Sequence, residues 1–174
     1  MSCRRVLRPD SRGWVVLLML SSAVLLLGTS CASQKHQKAA AVVVYVNQHI
    51  LSIAPIEARA LNRYAAVTGE RFESDEVLSQ ALEEEVIPTY ERFYESLREV
   101  PIQDPEIGPV HTHYVRSAGL LLEGFRMMLL ALEKDDSRLM SAANAKIEQG
   151  RLEGERWRAQ LQALFEKHGV VEEQ

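Results

Sequence analysis

Apolar residues recur at intervals of three and four along the chain from Ser33 onward, which is the spacing of amphipathic helices. No stretch alternates between apolar and polar residues with the period of two that a half-buried strand shows. Turn or loop sequences separate the helical segments at Thr68-Gly69, at residues 101–109 and at Asp135-Asp136. The pattern predicts an all-α protein whose four helices form an up-down-up-down bundle, because the connections are short.

Each predicted helix carries one apolar stripe that would face a shared core. The helices are predicted at residues 39–67, after Ser74 to residue 100, at 110–134 and at 138–168. The stripe of the first helix is Val44, Leu51, Ala54, Ala58, Leu61 and Ala65. The stripes of the other three are Leu78, Leu82, Val86, Thr89, Phe93, Leu97 and Val100; Val110, Tyr114, Ala118, Leu121, Phe125, Met128 and Leu132; and Leu139, Ala143, Ile147, Trp157, Leu161 and Leu164.

Capping residues and prolines refine this picture. Residues that favour helix ends stand where the pattern begins or stops: Ser74, Asp136 or Ser137, and Gly169. Pro55 and Pro88 fall inside the first and second helices. Since proline lacks the backbone N–H of a regular helix, we expect a kink at each.

The first thirty residues differ from the rest of the chain in charge and hydropathy. They hold four arginines and one aspartate, a net charge of +3, which leaves −7 for the remainder. Residues 13–28 carry no charge and are fewer than the ~20 that a membrane-spanning helix needs. A basic head followed by a short apolar stretch is typical of a secretory signal. The acidic remainder argues against a nucleic-acid partner, because phosphate binding needs a positive surface.

The apolar stretch ends in the sequence LLGTSC at Cys31. This resembles the lipobox of bacterial lipoproteins, with Gly28 at the position where that family usually has leucine. The resemblance implies that residues 1–30 are removed and that Cys31 receives a diacylglycerol and an acyl chain such as palmitate. Ala32 resembles the second residue of lipoproteins sent to the outer membrane. An uncut segment 13–28 that serves as a membrane anchor remains an alternative.

The resemblance and the helical pattern together divide the chain into four parts. These are a signal peptide at 1–30, a tether at 31–38, a helical bundle at 39–169 and a tail at 170–174. Lipidation of Cys31 would leave the mature chain without a thiol, so its stability would depend on packing and not on a disulfide. The implied location is the cell envelope, at the periplasmic face of the outer membrane.

Histidines are the polar side chains here that are best suited to bind a metal ion. In an up-down-up-down bundle, His36, His111, His113 and His168 would share the end nearest Cys31. They predict, as an alternative function, a site for a metal, a haem or another small ligand. Against it, His111 and His113 would point about 200° apart on a helix. Histidines exposed at helix ends are the competing interpretation.

Gly150 and Gly154 have the Gly-x-x-x-Gly spacing, which places two glycines on one helix face. Each costs about 1 kcal/mol relative to alanine inside a helix, so close approach of a neighbouring helix or of a partner is expected in return. Packing inside the protein is favoured over an interaction site.

The sequence contains no catalytic motif that would indicate an enzyme. Gly-x-Ser-x-Gly, the phosphate-binding loop and the dinucleotide fingerprint are missing, and no cofactor is predicted. We therefore expect a non-enzymatic, lipid-anchored interaction or structural module of the bacterial envelope. Its expected contacts are the membrane and a protein of the envelope. Its oligomeric state stays open, because a dimer of helical hairpins would use the same stripes.

Overall fold

The computed structural model describes residues 34–170 of this chain. Within this range the secondary structure is helical and contains no strand, which confirms the all-α class. The predicted signal peptide, Cys31 and residues 171–174 of the predicted tail lie outside the described residues. The chain divides into two compact units, Met1–Lys38 and Ala39–Gln174. The packing described below is that of the second unit.

Four helices follow one another, as the sequence pattern predicted. Helix α1 is Gln34–Ala65, and a short 3-10 turn at Gly69–Arg71 follows it. Helix α2 is made of three consecutive segments, Asp75–Ala81, Leu82–Val86 and Ile87–Arg98. Helix α3 is Ile107–Lys134 and helix α4 is Ser137–His168.

Helices α1 and α2 each contain a proline beyond the first turn, and each has a π turn on the N-terminal side of that proline. The π turn of α1 is Tyr45–Ile50, ahead of Pro55, and that of α2 is Leu82–Val86, ahead of Pro88. Proline cannot donate to the carbonyl four residues earlier, and its ring crowds that carbonyl. A π turn pairs each carbonyl with the fifth residue instead of the fourth. Both helices continue through their proline.

The stripe predicted for α1 is wrong at most of its positions, although Leu61 is half-buried and packs against the core. Val44 and Leu51 are 40% and 57% exposed, and Ala58 and Ala65 also face solvent. The residues that α1 and the turn after it bury are Val42, Tyr45, Ile50, Ala60 and Val67. The π turn explains part of the difference, since it brings residues five apart, Tyr45 and Ile50, to the same side of the helix. The rest follows from composition: α1 is apolar on two faces, so hydropathy alone could not select the inner one.

The stripes predicted for α2 and α3 are confirmed. Their side chains include residues of the core at 0% exposure: Leu82, Val86, Phe93, Leu97, Ala118 and Phe125. Tyr90 of α2 is also at 0% exposure, although it was not part of the predicted stripe. Helix α4 follows its prediction in part. Ala143 and Leu164 are buried, whereas Ile147, Trp157 and Leu161 are half-buried against the core.

The predicted helix ends are confirmed by their hydrogen bonds. The Ser74 hydroxyl accepts from the Val77 backbone N–H at 3.3 Å. The Asp136 carboxylate accepts from two backbone N–H groups in the first turn of α4, at 2.9 and 3.1 Å. Gly169 ends α4 with φ of 70°, a left-handed conformation that glycine adopts without a steric penalty.

Helix α1 is the one helix among the described residues whose length and composition would allow it to cross a membrane. Its most apolar 18-residue window has a mean hydropathy of 1.5. The same helix supplies Tyr45 and Ile50 to the core. Core helices also satisfy this criterion of length and composition. The finding therefore shows that α1 is long and apolar, and it does not show that α1 crosses a membrane.

Candidate functional site

His111 lies inside the protein and is engaged by α1. The residue is 8% exposed, and its Nδ1 lies 3.2 Å from the Tyr45 hydroxyl. Burial lowers the pKa of His111, and a hydrogen bond with the Leu97 backbone offsets part of that change. Burial also raises the pKa of Tyr45 to about 12, with a small opposing effect of Trp157. The phenol therefore keeps its proton and can donate it to a neutral imidazole nitrogen.

His113 belongs to an ion-pair cluster around Glu153 of α4. The Glu153 carboxylate lies 2.8 Å from His113 Nδ1, 2.7 Å from Arg156 and 3.5 Å from Arg116 Nε. Glu153 is only 4% exposed, because the partners cover it; the two arginine side chains are themselves 67% and 61% exposed. The His113 hydrogen bond, followed by the charges of the two arginines, lowers the pKa of Glu153.

His168 joins the end of α4 to the residue before α3. Glu106 Oε2 accepts from Lys167 Nζ at 2.5 Å and lies 3.1 Å from His168 Nε2. Hydrogen bonds from Lys167 and then His168 lower the pKa of Glu106. This carboxylate therefore holds the last turn of α4 beside the first turn of α3.

The four histidines of the predicted metal site do not share a ligand position. His111, His113 and His168 contact Tyr45, Glu153 and Glu106 respectively, and His36 is exposed in α1. Within residues 34–170, no three His, Cys, Asp or Glu side chains are grouped as a metal ion requires.

A cluster of two buried and two half-buried side chains, which the sequence did not reveal, draws one side chain from each helix. Glu57 of α1 accepts from the Tyr90 hydroxyl of α2 at 3.4 Å and from the Tyr114 hydroxyl of α3 at 2.6 Å. Trp157 of α4 stacks on the Tyr114 ring, with centroids 3.9 Å apart and planes inclined by 12°. We call Glu57, Tyr90, Tyr114 and Trp157 the Glu57 cluster.

Opposing effects act on the pKa of Glu57. Burial raises the pKa of Glu57, while the two phenol hydrogen bonds and the charge of Arg158 oppose that rise. Burial and the nearby carboxylate raise the pKa of both Tyr90 and Tyr114, so each phenol remains a donor. The buried Trp157 Nε1 lies near the Tyr45 side chain without a hydrogen bond of normal geometry. The cluster matches two donors to one acceptor group, which ties α1, α2 and α3 together by hydrogen bonds, while ring stacking joins α4 to them.

The signal that could have revealed the cluster is the position of Glu57. It is the first acidic residue after Asp10, and it directly follows the uncharged stretch 39–56. A single carboxylate there predicts a buried acceptor. Its donors could not be identified, because Tyr90 and Tyr114 are 33 and 57 residues away in sequence.

Gly150 and Gly154 face α3 at close range. A Cβ atom on Gly150 would lie 2.7 Å from Leu121 Cγ and 3.0 Å from the Leu121 backbone nitrogen. A Cβ atom on Gly154 would lie 3.0 Å from Ser117 Oγ, and the Ser117 hydroxyl donates to the Gly150 carbonyl at 2.8 Å. The two glycines thus allow α3 and α4 to approach each other more closely than side chains would permit.

An open cleft of about 470 Å³ separates α1 from the loop before α3. Its walls are mainly apolar and include Val44, Ile102 and Pro105, with Tyr45 and His49 as polar members. Cys31, the predicted point of lipid attachment, lies outside the described residues. The chain matches no protein-family model, no curated protein and no solved structure.

Proposed function

We propose that this protein is a lipid-anchored module of the bacterial envelope that acts by binding and not by catalysis. The observation that carries the proposal is the sequence LLGTSC ending at Cys31, after a basic and then apolar stretch. Gln34, three positions after Cys31, is already helical. A lipidated Cys31 would therefore hold a folded helical domain directly at a membrane surface.

The proposed architecture is an up-down-up-down bundle with kinks at Pro55 and Pro88, anchored at the periplasmic face of the outer membrane. The engagement of polar groups inside the described bundle supports a binding role for its surface. Glu57, Tyr90 and Tyr114 form hydrogen bonds with one another across three helices. The long exposed faces of the helices are then the parts of the domain that a protein of the envelope can contact.

The intact mass of protein extracted from a bacterial membrane fraction tests this proposal. We expect the mass of a chain cut before Cys31 and carrying acyl chains. Cys31→Ala should abolish both changes, because no thiol is then present at the cleavage point. Cys3→Ser is the matched control: it removes the other cysteine of the chain and should leave cleavage and acylation intact.

An uncut and unmodified chain in the wild type would contradict the proposal. Residues 13–28 would then act as the membrane anchor, and Cys31 would be an ordinary thiol.

A further inference from the structure

Helix α1 has an outer face that carries large apolar side chains and no charge. Val43, Val44 and Leu51 are 38%, 40% and 57% exposed on it. The other exposed residues of this face are small or uncharged: Ala40, Asn47, Gln48, Ser52 and Pro55. From Ala39 to Ile56, about 27 Å of helix, the sequence contains no Lys, Arg, Asp or Glu. We call this surface the outer face of α1.

Charge along the chain changes sign just beyond the outer face. Residues 31–56 contain two lysines and no acidic residue, a net charge of +2, while residues 57–174 carry −9. The part of the chain nearest Cys31 is thus free of carboxylates that would repel anionic phospholipids. The rest of the chain is acidic and would be repelled by them.

Several facts favour a lipid surface over a second copy of the chain as the occupant of this face. Two residues lie between Cys31 and Gln34, so the two positions are about 10 Å apart at most, and a lipidated Cys31 keeps α1 within reach of the bilayer. A stable protein interface buries roughly 20–30 residues on each side, whereas this face offers three large apolar side chains. Those three side chains suit an interfacial helix that a lipid anchor already holds.

We infer that the outer face of α1 lies on the membrane, with Val43, Val44 and Leu51 in the boundary between headgroups and acyl chains. The inference rests on the proposed lipid anchor at Cys31. Helix α1 would lie along the surface and not across it, because its other side packs into the core through Tyr45 and Ile50. We place the limit of the membrane contact at the cleft beside Val44, because the acidic residue Asp104 lines that cleft. The Asp104 carboxylate accepts a hydrogen bond from the Glu106 backbone N–H at 2.7 Å.

Spin labels in the full chain test the inference. In a Cys3→Ser background, Val44→Cys and Leu51→Cys each introduce one labelled site on the outer face of α1. Leu152→Cys is the matched control, because Leu152 is an apolar residue of α4 that is 41% exposed. The membrane-extracted proteins are reconstituted in vesicles of phosphatidylethanolamine and phosphatidylglycerol. Label depth is measured from collisions with oxygen and with a water-soluble nickel complex, and the intact mass is taken on the same samples.

We expect the labels at positions 44 and 51 about 5–10 Å below the phosphates, and the label at position 152 in water. If all three labels are equally accessible from water while the mass shows acylation, the inference fails and the proposed function stands. Spin–spin broadening between labels at position 44 or 51 of different molecules would show a second copy on this face, which also overturns the inference. A mass without acyl chains overturns the proposed function and this inference with it.

Discussion

Two glutamates withdrawn from solvent, Glu57 and Glu153, show how the same side chain is accommodated in opposite ways. Glu57 lies among aromatic rings and accepts from two neutral phenols, and burial raises its pKa. Glu153 lies in the α3–α4 contact under His113 and two arginines, and these partners lower its pKa. Loss of solvent alone therefore does not determine the ionisation of a carboxylate; the charge of its partners does.

The surroundings of the two residues differ in packing as well. Near Glu57, large rings fill the space, with Tyr90 5.3 Å from Phe125 between centroids and Trp157 stacked on Tyr114. Near Glu153, small residues bring two backbones together, with Gly150 against Leu121. One region is stabilised by side-chain volume and the other by close backbone approach, so substitutions should affect them by different mechanisms.

The largest effect is expected for Glu57→Leu. This change leaves the hydroxyls of Tyr90 and Tyr114 buried without an acceptor, at a cost of roughly 1–3 kcal/mol each, so we expect about 4 kcal/mol less stability. Urea unfolding followed by circular dichroism measures this loss. Glu83→Leu, at an exposed position of α2, is the control and should change stability by less than about 0.5 kcal/mol. Equal effects of the two leucines would mean that the Glu57 cluster does not stabilise the fold.

The next effect is expected in the glycine-lined contact. Gly150→Ala places a Cβ against both the side chain and the backbone of Leu121, and the backbone cannot yield locally. We expect a loss of about 2–3 kcal/mol in the unfolding free energy. Gly108→Ala is the matched control, since its Cβ would meet only Ile102 Cγ2, at 3.8 Å. That variant should be neutral or about 0.5 kcal/mol more stable. Equal unfolding free energies of Gly150→Ala and Gly108→Ala would contradict this prediction.

A smaller effect is expected for Glu153→Gln. The amide keeps the shape of the side chain but loses the charge that His113, Arg116 and Arg156 surround. Because both arginines are mostly exposed, solvent screens much of the attraction, and we expect a loss of about 1–2 kcal/mol at pH 7. Thermal unfolding beside Glu155→Gln, an exposed neighbour on α4, provides the comparison. If Glu153→Gln loses no more unfolding free energy than Glu155→Gln, then the ion pairs of Glu153 with its cationic partners do not stabilise the fold.

The smallest but most discriminating effect concerns pH. Because the pKa of Glu57 is raised in the folded protein, the folded state holds that proton more tightly. Stability relative to Glu57→Gln should then fall as pH rises above about 4.5. The pKa of Glu153 is lowered, so its contribution relative to Glu153→Gln should be present above about 4.5 and lost as pH falls below it. Unfolding free energies measured across this range should give slopes of opposite sign, and slopes of the same sign would contradict the comparison.

Much of the fold could be predicted from the sequence because α2 and α3 bury residues at regular helical spacing. Phe93 and Phe125, for example, lie in the predicted stripes and are at 0% exposure. Helix α1 has two apolar faces and a π turn, so its inner residues could not be identified from spacing. The same ambiguity explains why Val44 was predicted in the core and found exposed.

The candidate site was less predictable, because its contacts join distant parts of the chain. Histidine positions indicated which end of a bundle they would share but not their partners, and Tyr45, Glu153 and Glu106 engage three of them separately. The Gly150 and Gly154 spacing did indicate close approach, since glycine inside a helix is unfavourable unless something packs against it. Cys31 remains a prediction from the resemblance alone.

The stacking of Trp157 on Tyr114 gives this protein a built-in optical reporter. The chain has two tryptophans, and the other, Trp14, belongs to the predicted signal peptide. Removal of that segment would leave Trp157 as the single indole fluorophore of the mature chain. Its ring lies against α3 with a buried N–H, so its emission would shift to the red as soon as α4 separated from the other helices. Fluorescence of the unlabelled, processed protein would therefore follow the docking of the last helix.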